Sequence, residues 1–228
     1  MSLAGMGVVA IWHDIMPEAK QQYYEWHNRE HMPERVGIPG FRRGRRYVAL
    51  EGAPEFFTLY EADSAEVLGG LDYLNRLNAP TEWTRRMMPS FRNFARSQCR
   101  VVVTSGTGSG GVMLTMRFHV AAEHRASALE ALTRRILQPL TYAGGVTGVH
   151  LCLADEAASM IETVESTTRP DTFEVPVWIA LIEGISTASV RGAGDTLAAA
   201  LQSLHAGAID TAIYRHEITR LKTPWSAG

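Results

Sequence analysis

The densest cluster of chemically capable residues is His27-Asn-Arg-Glu-His31. On a helix, His27 and His31 stand four apart and share a face. At about 100° per residue, Tyr23, His27, Glu30, His31 and Glu34 fall on one broad arc. Ala19, Tyr23 and Trp26 mark the neighbouring apolar edge, which a helix packed on a sheet turns inward. The histidines are then expected at the border of the core, where a cleft can open. Imidazole suits proton transfer near neutral pH. His27 and His31 are therefore candidate acid/base groups, Glu30 is the candidate that orients one of them, and Tyr23 and Trp26 are candidate substrate walls. The competing reading is a solvated helix end whose histidines do no chemistry. The same five residues also match H-x-x-E-H, in which two histidines bind zinc and the glutamate activates water. Pro33 is expected to end the helix almost at once, and neither Glu61 nor Glu82 clearly supplies a third ligand. A zinc protease is disfavoured; a simpler metal site on His27 and His31 stays as an alternative.

The second cluster is Phe41-Arg-Arg-Gly-Arg-Arg-Tyr47. Strand alternation puts Phe41, Arg43, Arg45 and Tyr47 on one face and Arg42, Gly44, Arg46 and Val48 on the other. Guanidinium forks hold carboxylates and phosphates bidentately, so Arg43 and Arg45 are candidate anion clamps. Tyr47 and Tyr60 are candidates to aim a hydroxyl into a cavity. The same arginines are equally able to pair with Glu30, Glu34, Glu51 and Glu55. His13 and Asp14, at the end of the first strand, form a weaker candidate at a pocket mouth, and Asp14 suits a cap for the helix after Pro17.

The elements that must position these residues read as two similar series. Gly7–Ile15, Phe41–Leu50, Phe56–Glu61 and the later part of Phe91–Val103 read as strands, rich in β-branched and aromatic residues. Helices are expected from Pro17 to about Met32 and from Ser64 to about Leu77, with a short one after Thr81. Val112–Val120, Val146–Leu153, Val175–Glu183 and Ala208–Leu221 read as strands of the second series. Its helices are Ala121–Leu137, stopped by Pro139, and Ser189–His205. A long excursion through Thr167–Pro170 precedes the strand at Val175. Between the series lies Thr104-Ser-Gly-Thr-Gly-Ser-Gly-Gly111, which reads as a flexible connector and lacks the ending of a phosphate loop.

Each series reads β-α-β-β-α-β, the split-βαβ unit. The expected fold is α+β, with two tandem ferredoxin-like repeats packed sheet to sheet, at 1–104 and 112–228, joined by a linker at 105–111. Val8-Val-Ala-Ile-Trp12 and Val177-Trp-Ile-Ala-Leu-Ile182 are continuously apolar, as strands covered on both faces should be. The segment Trp26–Arg35 followed by Pro39–Tyr47, within this order of elements, resembles the dimeric α/β-barrel superfamily. The chain looks most like its small EthD-like and stress-responsive barrel proteins, in tandem-repeat form. The resemblance implies a small-molecule pocket on a pseudo-dimeric barrel. It implies isomerase, cyclase or cofactor-free monooxygenase chemistry on an apolar or aromatic metabolite, or else a non-catalytic ligand-binding or assembly protein. No motif asks for a cofactor, although the resemblance leaves haem open at His119, His150, His205 or His216.

Composition narrows the rest. With 228 residues, 46% of them hydrophobic, and a net charge of −2, the chain can bury a full core and is not disordered. Residues 1–100 carry 13 basic and 12 acidic side chains, so the arginine run does not make a basic domain. Nucleic acid is therefore not an expected partner. No apolar run approaches the ~20 residues that span a bilayer, and no signal-peptide pattern opens the chain, so the expectation is cytoplasmic. Cys99 and Cys152 exclude a disulfide framework and read as buried hydrophobes. The expected partners are a small-molecule ligand and, through duplication, an internal pseudo-dimer with room for a further homodimer. The second series has Ala131-Leu-Thr-Arg-Arg135 where the first has its histidines, so a working pocket is expected in the first. A cavity of roughly 300 Å³ or more there would favour an enzyme.

Overall fold

The computed structural model describes residues 3–169 and 174–222. Eight antiparallel strands close into one barrel: β1 (Gly7–Ile15), β2 (Phe41–Glu51), β3 (Phe56–Ala62), β4 (Phe91–Gly106), β5 (Val112–Val120), β6 (Val146–Ala154), β7 (Trp178–Gly184) and β8 (Ala206–Leu221). Their order around the barrel is β1-β3-β2-β8-β5-β7-β6-β4. Each half of the chain contributes a contiguous four-stranded sheet. The two sheets face each other across the interior and are hydrogen-bonded edge to edge where β2 meets β8 and β4 meets β6.

Val8, Ala10 and Trp12 point into the barrel, where they pack with Tyr47, Phe57 and Leu59 and with Met113, Ile179, Leu181 and Tyr214 of the facing sheet. Val9 points outward under the helices. Both faces of β1 are thus buried, which is why it shows no apolar–polar alternation. Cys99 and Cys152 are buried and free in the same interior.

The interior also holds a buried ionic cluster. Arg45 donates to Glu61 at 2.8 Å and to Glu183 at 2.9 Å, and Arg43 reaches Glu61 at 2.7 Å. His150 Nε2 lies 3.2 Å from Glu183. The backbone N–H of Gly110 donates to Glu183 at 3.1 Å, and Ser109 Oγ accepts from Arg43 at 3.2 Å. The connector is therefore not a loose tether. β4 runs on through Gly106, and the residues after it are pinned to buried charge. The arginine partners are Glu61, Glu183, Glu217 (to Arg46) and Asp63 (to Arg42), in place of the expected Glu30, Glu34, Glu51 and Glu55.

Outside the N-terminal sheet lies a continuous helical rod made of a short turn at Pro17–Ala19, α1 (Lys20–Trp26), a π-turn at His27–His31 and α2 (Met32–Gly37). Pro33 does not end it. The Met32 N–H bonds back to the His27 carbonyl, and this wider turn absorbs the proline's missing donor. α3 (Ala65–Leu68), α4 (Leu71–Asn78) and α5 (Glu82–Met87) complete this layer, with a break at Gly69-Gly70 where one helix was expected. The C-terminal sheet carries α6 (Arg125–Ala131), a π-turn at Leu132–Ile136, α7 (Leu137–Leu140) and α10 (Thr187–Ser203). Here the rod ends at Leu140, one residue past Pro139, close to the expected stop. Between β6 and β7 the chain leaves the barrel through α8 (Glu156–Ser159) and α9 (Val164–Thr167) and crosses to the N-terminal side; Pro170, at the end of the expected excursion, lies outside the described residues. Among the described residues no helix is long and apolar enough to cross a membrane.

Candidate functional site

The π-turn sets two imidazoles side by side. The His27 and His31 rings are 5.7 Å apart, and Trp26 stacks on His31 at 4.2 Å. Both histidines are buried, so they are not the solvated helix end that the competing reading required. They line a cavity of about 30 Å³ between the rod and the outer face of β1 and β3, together with His13, Trp26, Thr58 and Tyr60. The rest of the wall comes from Arg35, Tyr73, Arg96 and, across from the C-terminal half, Glu165 and Arg169. A wider groove of about 700 Å³ lies elsewhere, along the β4–β6 seam, and contains none of the expected site residues.

The protonation pattern follows from the partners. Arg46 Nη1 lies 3.1 Å from His27 Nδ1. A guanidinium only donates, so Nδ1 accepts and the ring proton sits on Nε2. That proton is then given to Tyr60 Oη, 3.3 Å away. The Tyr60 hydroxyl accepts, and its own proton is left free to be donated. His31 is different: its Nδ1 is buried without a hydrogen-bond partner. Burial, and then the charge of Arg35, hold the His31 pKa well below its ordinary value; burial and Arg46 do the same for His27. Burial brings His13 down to about 3, and its Nε2 sits 3.3 Å from the Tyr23 hydroxyl. Burial pushes the Tyr60 hydroxyl well above the tyrosine range. At neutral pH the cavity therefore presents neutral imidazoles, which are bases, beside a neutral phenol that can donate.

The expected residues divide by face. His27, His31, Trp26 and Tyr60 meet at the cavity, and Tyr23 backs it by stacking on His27 at 5.2 Å. Glu30 does not orient a histidine; it accepts from the Thr81 hydroxyl at 2.5 Å, at the start of α5. Arg43, Arg45 and Tyr47 are not in the site. They face the barrel interior, on the opposite side of the sheet from the rod. A bulge between Phe41 and Arg43 also puts Phe41 on the outer face, against Tyr73, so the expected alternation fails at that step. Asp14 caps no helix; its carboxylate accepts from the Glu55 N–H and the Asn93 amide. Arg46, Arg35, Arg96 and Glu165 were not expected in the site. A signal for Arg35 was present, because His27, His31 and Arg35 are spaced by four along the rod.

The donor set does not suit a metal on His27 and His31. His27 has both ring nitrogens engaged and a guanidinium at 3.1 Å, and no group of three potential ligands comes together among the described residues. Haem does not fit either. His150 has both nitrogens engaged inside the barrel, His216 bonds Thr219, His205 stacks on His124, and none of these lines the cavity. His119 is exposed on β5.

No family model matches the chain, and no curated protein matches it significantly in sequence. Solved structures match it in architecture. An anthrone oxidase-like protein superposes with a TM-score of 0.63 at 13% identity, over 95% of this chain and 92% of that one. A candidate monooxygenase from Fusobacterium nucleatum gives 0.61 at 8% identity, over 96% of each chain. A second, from Lactobacillus acidophilus, gives 0.59 at 8%, over 95% and 96%. This is the dimeric α/β-barrel fold. At these identities the likeness is one of fold, and function must be argued from the site.

Proposed function

We propose that the chain is a small-molecule enzyme that begins its reaction by removing a proton from an aromatic or enolisable substrate. The observation that carries this reading is His31, a neutral buried imidazole with an unpaired nitrogen beside a tyrosine hydroxyl whose proton is free. His31 takes the proton as negative charge develops on the substrate beside it, charge that raises the affinity of a buried imidazole for a proton, and the Tyr60 O–H donates to the oxygen on which that charge develops. Arg46 is a positioning residue that fixes the His27 tautomer and so keeps the Tyr60 proton available. Isomerisation, cyclisation and cofactor-free oxygenation all share this first step. The anthrone oxidase-like and monooxygenase neighbours favour oxygenation, because a resonance-stabilised carbanion can react directly with dioxygen. In the same proposal the chain is a duplicated unit, with repeats at 1–104 and 112–228, and the site belongs to the first.

The closed cavity, at about 30 Å³, does not reach the size that was expected to favour an enzyme and is smaller than any such substrate, so the proposal requires α9 to move outward for entry. Closure excludes water while charge develops. The test is oxygen uptake with anthrone and a panel of electron-rich phenols. Turnover is expected in the wild type, with at least a hundredfold loss in His31→Leu and a smaller loss in Tyr60→Phe, in line with the roughly 10²–10⁴-fold worth of a general base. Full turnover in a folded His31→Leu protein would remove His31 from the mechanism.

A further inference from the structure

The cavity wall contributed by α2, β4 and the excursion is rich in guanidinium groups. Arg35, Arg96 and Arg169 all line it, and Glu165 is its one carboxylate. Glu165 is buried and ion-pairs with Arg35, which is also buried. Arg35 does not need that partner, since Glu34 already reaches it at 3.1 Å. Arg96 is 7% exposed, and among the described residues no carboxylate reaches it. It donates to neutral groups, the Tyr73 hydroxyl at 3.1 Å and the Ser159 carbonyl at 3.5 Å. A buried cation without a counter-charge is costly, and Arg96 is one such guanidinium in a wall whose single carboxylate, Glu165, is paired with Arg35.

That side chain arrives on a four-residue helix, α9, with Val164 exposed beside it. Besides Glu165, α9 is held by a capping box between Thr163 and Ser166 and a bond from the Val164 N–H to Asn78, and just beyond it the Arg169 guanidinium lies 3.9 Å over the Phe94 ring. A short helix thus delivers a single buried carboxylate onto an arginine wall inside an aromatic cavity.

We propose that the ligand of this cavity is a small aromatic anion, a carboxylate or phenolate, and that Glu165 holds the place of its charged group in the closed cavity. Entry of the anion exchanges one carboxylate for another on Arg35, supplies Arg96 with its counter-charge, and releases α9 to make room for the ring. The inference rests on the catalytic reading of the same cavity, whose proton-abstraction step it supplies with a substrate class. It also reassigns anion recognition, from Arg43 and Arg45 inside the barrel to Arg35 and Arg96 outside it.

The test is binding of benzoate, salicylate and 2-naphthoate to the full chain, read by quenching of Trp26 fluorescence and by calorimetry, with benzamide as the neutral isostere. An internal competitor lowers apparent affinity by the fraction of time it occupies the site. Glu165→Gln is therefore expected to bind the anions roughly tenfold tighter than the wild type, Glu165→Ser likewise, and Arg96→Met at least tenfold more weakly. Benzamide is expected to bind no tighter in Glu165→Gln than in the wild type. No anion binding by either protein, equal binding of benzoate and benzamide, or unchanged affinity in both Glu165 variants would each overturn the proposal. Failure here is separable from failure of the catalytic reading. His31→Leu is expected to keep anion binding while losing turnover, whereas anion binding by a wild type that turns over no substrate would count against the catalytic reading alone.

Discussion

The outer layers of the two four-stranded sheets are built to one plan and filled in opposite ways. Each carries a rod made of a short turn, a helix, a π-turn and a second helix. The register that pairs Gly7 with Ala62 pairs Val112 with Gly184 in the other half. By that register His13 corresponds to Phe118, Thr58 to Ala180 and Tyr60 to Ile182. In the rods, His27 and His31 correspond to Leu132 and Ile136. The C-terminal layer closes as one apolar cluster that includes Leu132, Leu137, Leu197, Leu201 and Ile182. The N-terminal layer is split into two smaller clusters with the polar cavity between them. The polar half cannot seal itself, and its missing wall comes from the excursion between β6 and β7. Where the N-terminal half has a tight turn after β2, the C-terminal half has α8 and α9. One half holds the polar cavity and the other supplies its cover.

The largest expected effect tests whether the halves are energetically separable. Arg45→Met leaves Glu61 and Glu183 buried without their main counter-charge, and about 3–5 kcal/mol of destabilisation is expected in urea unfolding. A loss confined to one half, seen as two transitions, would show that the comparison concerns two independent bodies. Next is Leu132→Ala in the filled layer, expected to cost about 2–5 kcal/mol through lost burial and a residual cavity. The corresponding change in the other layer, His31→Leu, is expected to stay within about 1 kcal/mol of wild type on the stabilising side, because it removes a buried unpaired nitrogen. If the two changes cost the same, the layers do not differ in the way argued above.

Acid should single out the N-terminal layer. His13, His27 and His31 have folded-state pKa values held below 6.5, to about 3 for His13. Between those values and pH 6.5 the unfolded chain binds protons that the folded chain refuses. Stability therefore falls as pH drops through that window, by up to about 1.4 kcal/mol per pH unit for each histidine, and is fully present above pH 7. A His13→Phe, His31→Leu double variant is expected to flatten the slope. An unchanged slope would place the acid sensitivity in another group.

Much of the barrel was legible because its evidence is local. Continuous apolar runs marked strands covered on both faces, and paired glycines and prolines marked the turns. The Pro33 stop failed because a π-turn can dissipate a proline's clash, and nothing in a propensity scale announces one. In the site, His27, His31, Trp26 and Tyr60 were legible from their spacing on a half-apolar rod. Arg43, Arg45 and Tyr47 were misplaced because alternation identifies a shared face but not which side of the sheet is the barrel interior. Arg96 and Glu165 were not legible at all. They reach the cavity only through β4 and a chain excursion that crosses from the other half, a long-range placement that no local pattern encodes.

The ionic cluster around Arg45 has a consequence for the way the chain comes off the ribosome. Until β7 has been made, Glu61 has its arginines but Arg45 has no Glu183, and the Gly110 N–H of the connector lacks its acceptor. The first four strands, once synthesised, present β2 and the 16-residue β4 as two bare edges, and exposed edges invite pairing with other chains. The nascent half is thus the most aggregation-prone species this sequence passes through. Its protection comes late, when β6 and β8 take up the two edges and Glu183 completes the charge balance inside.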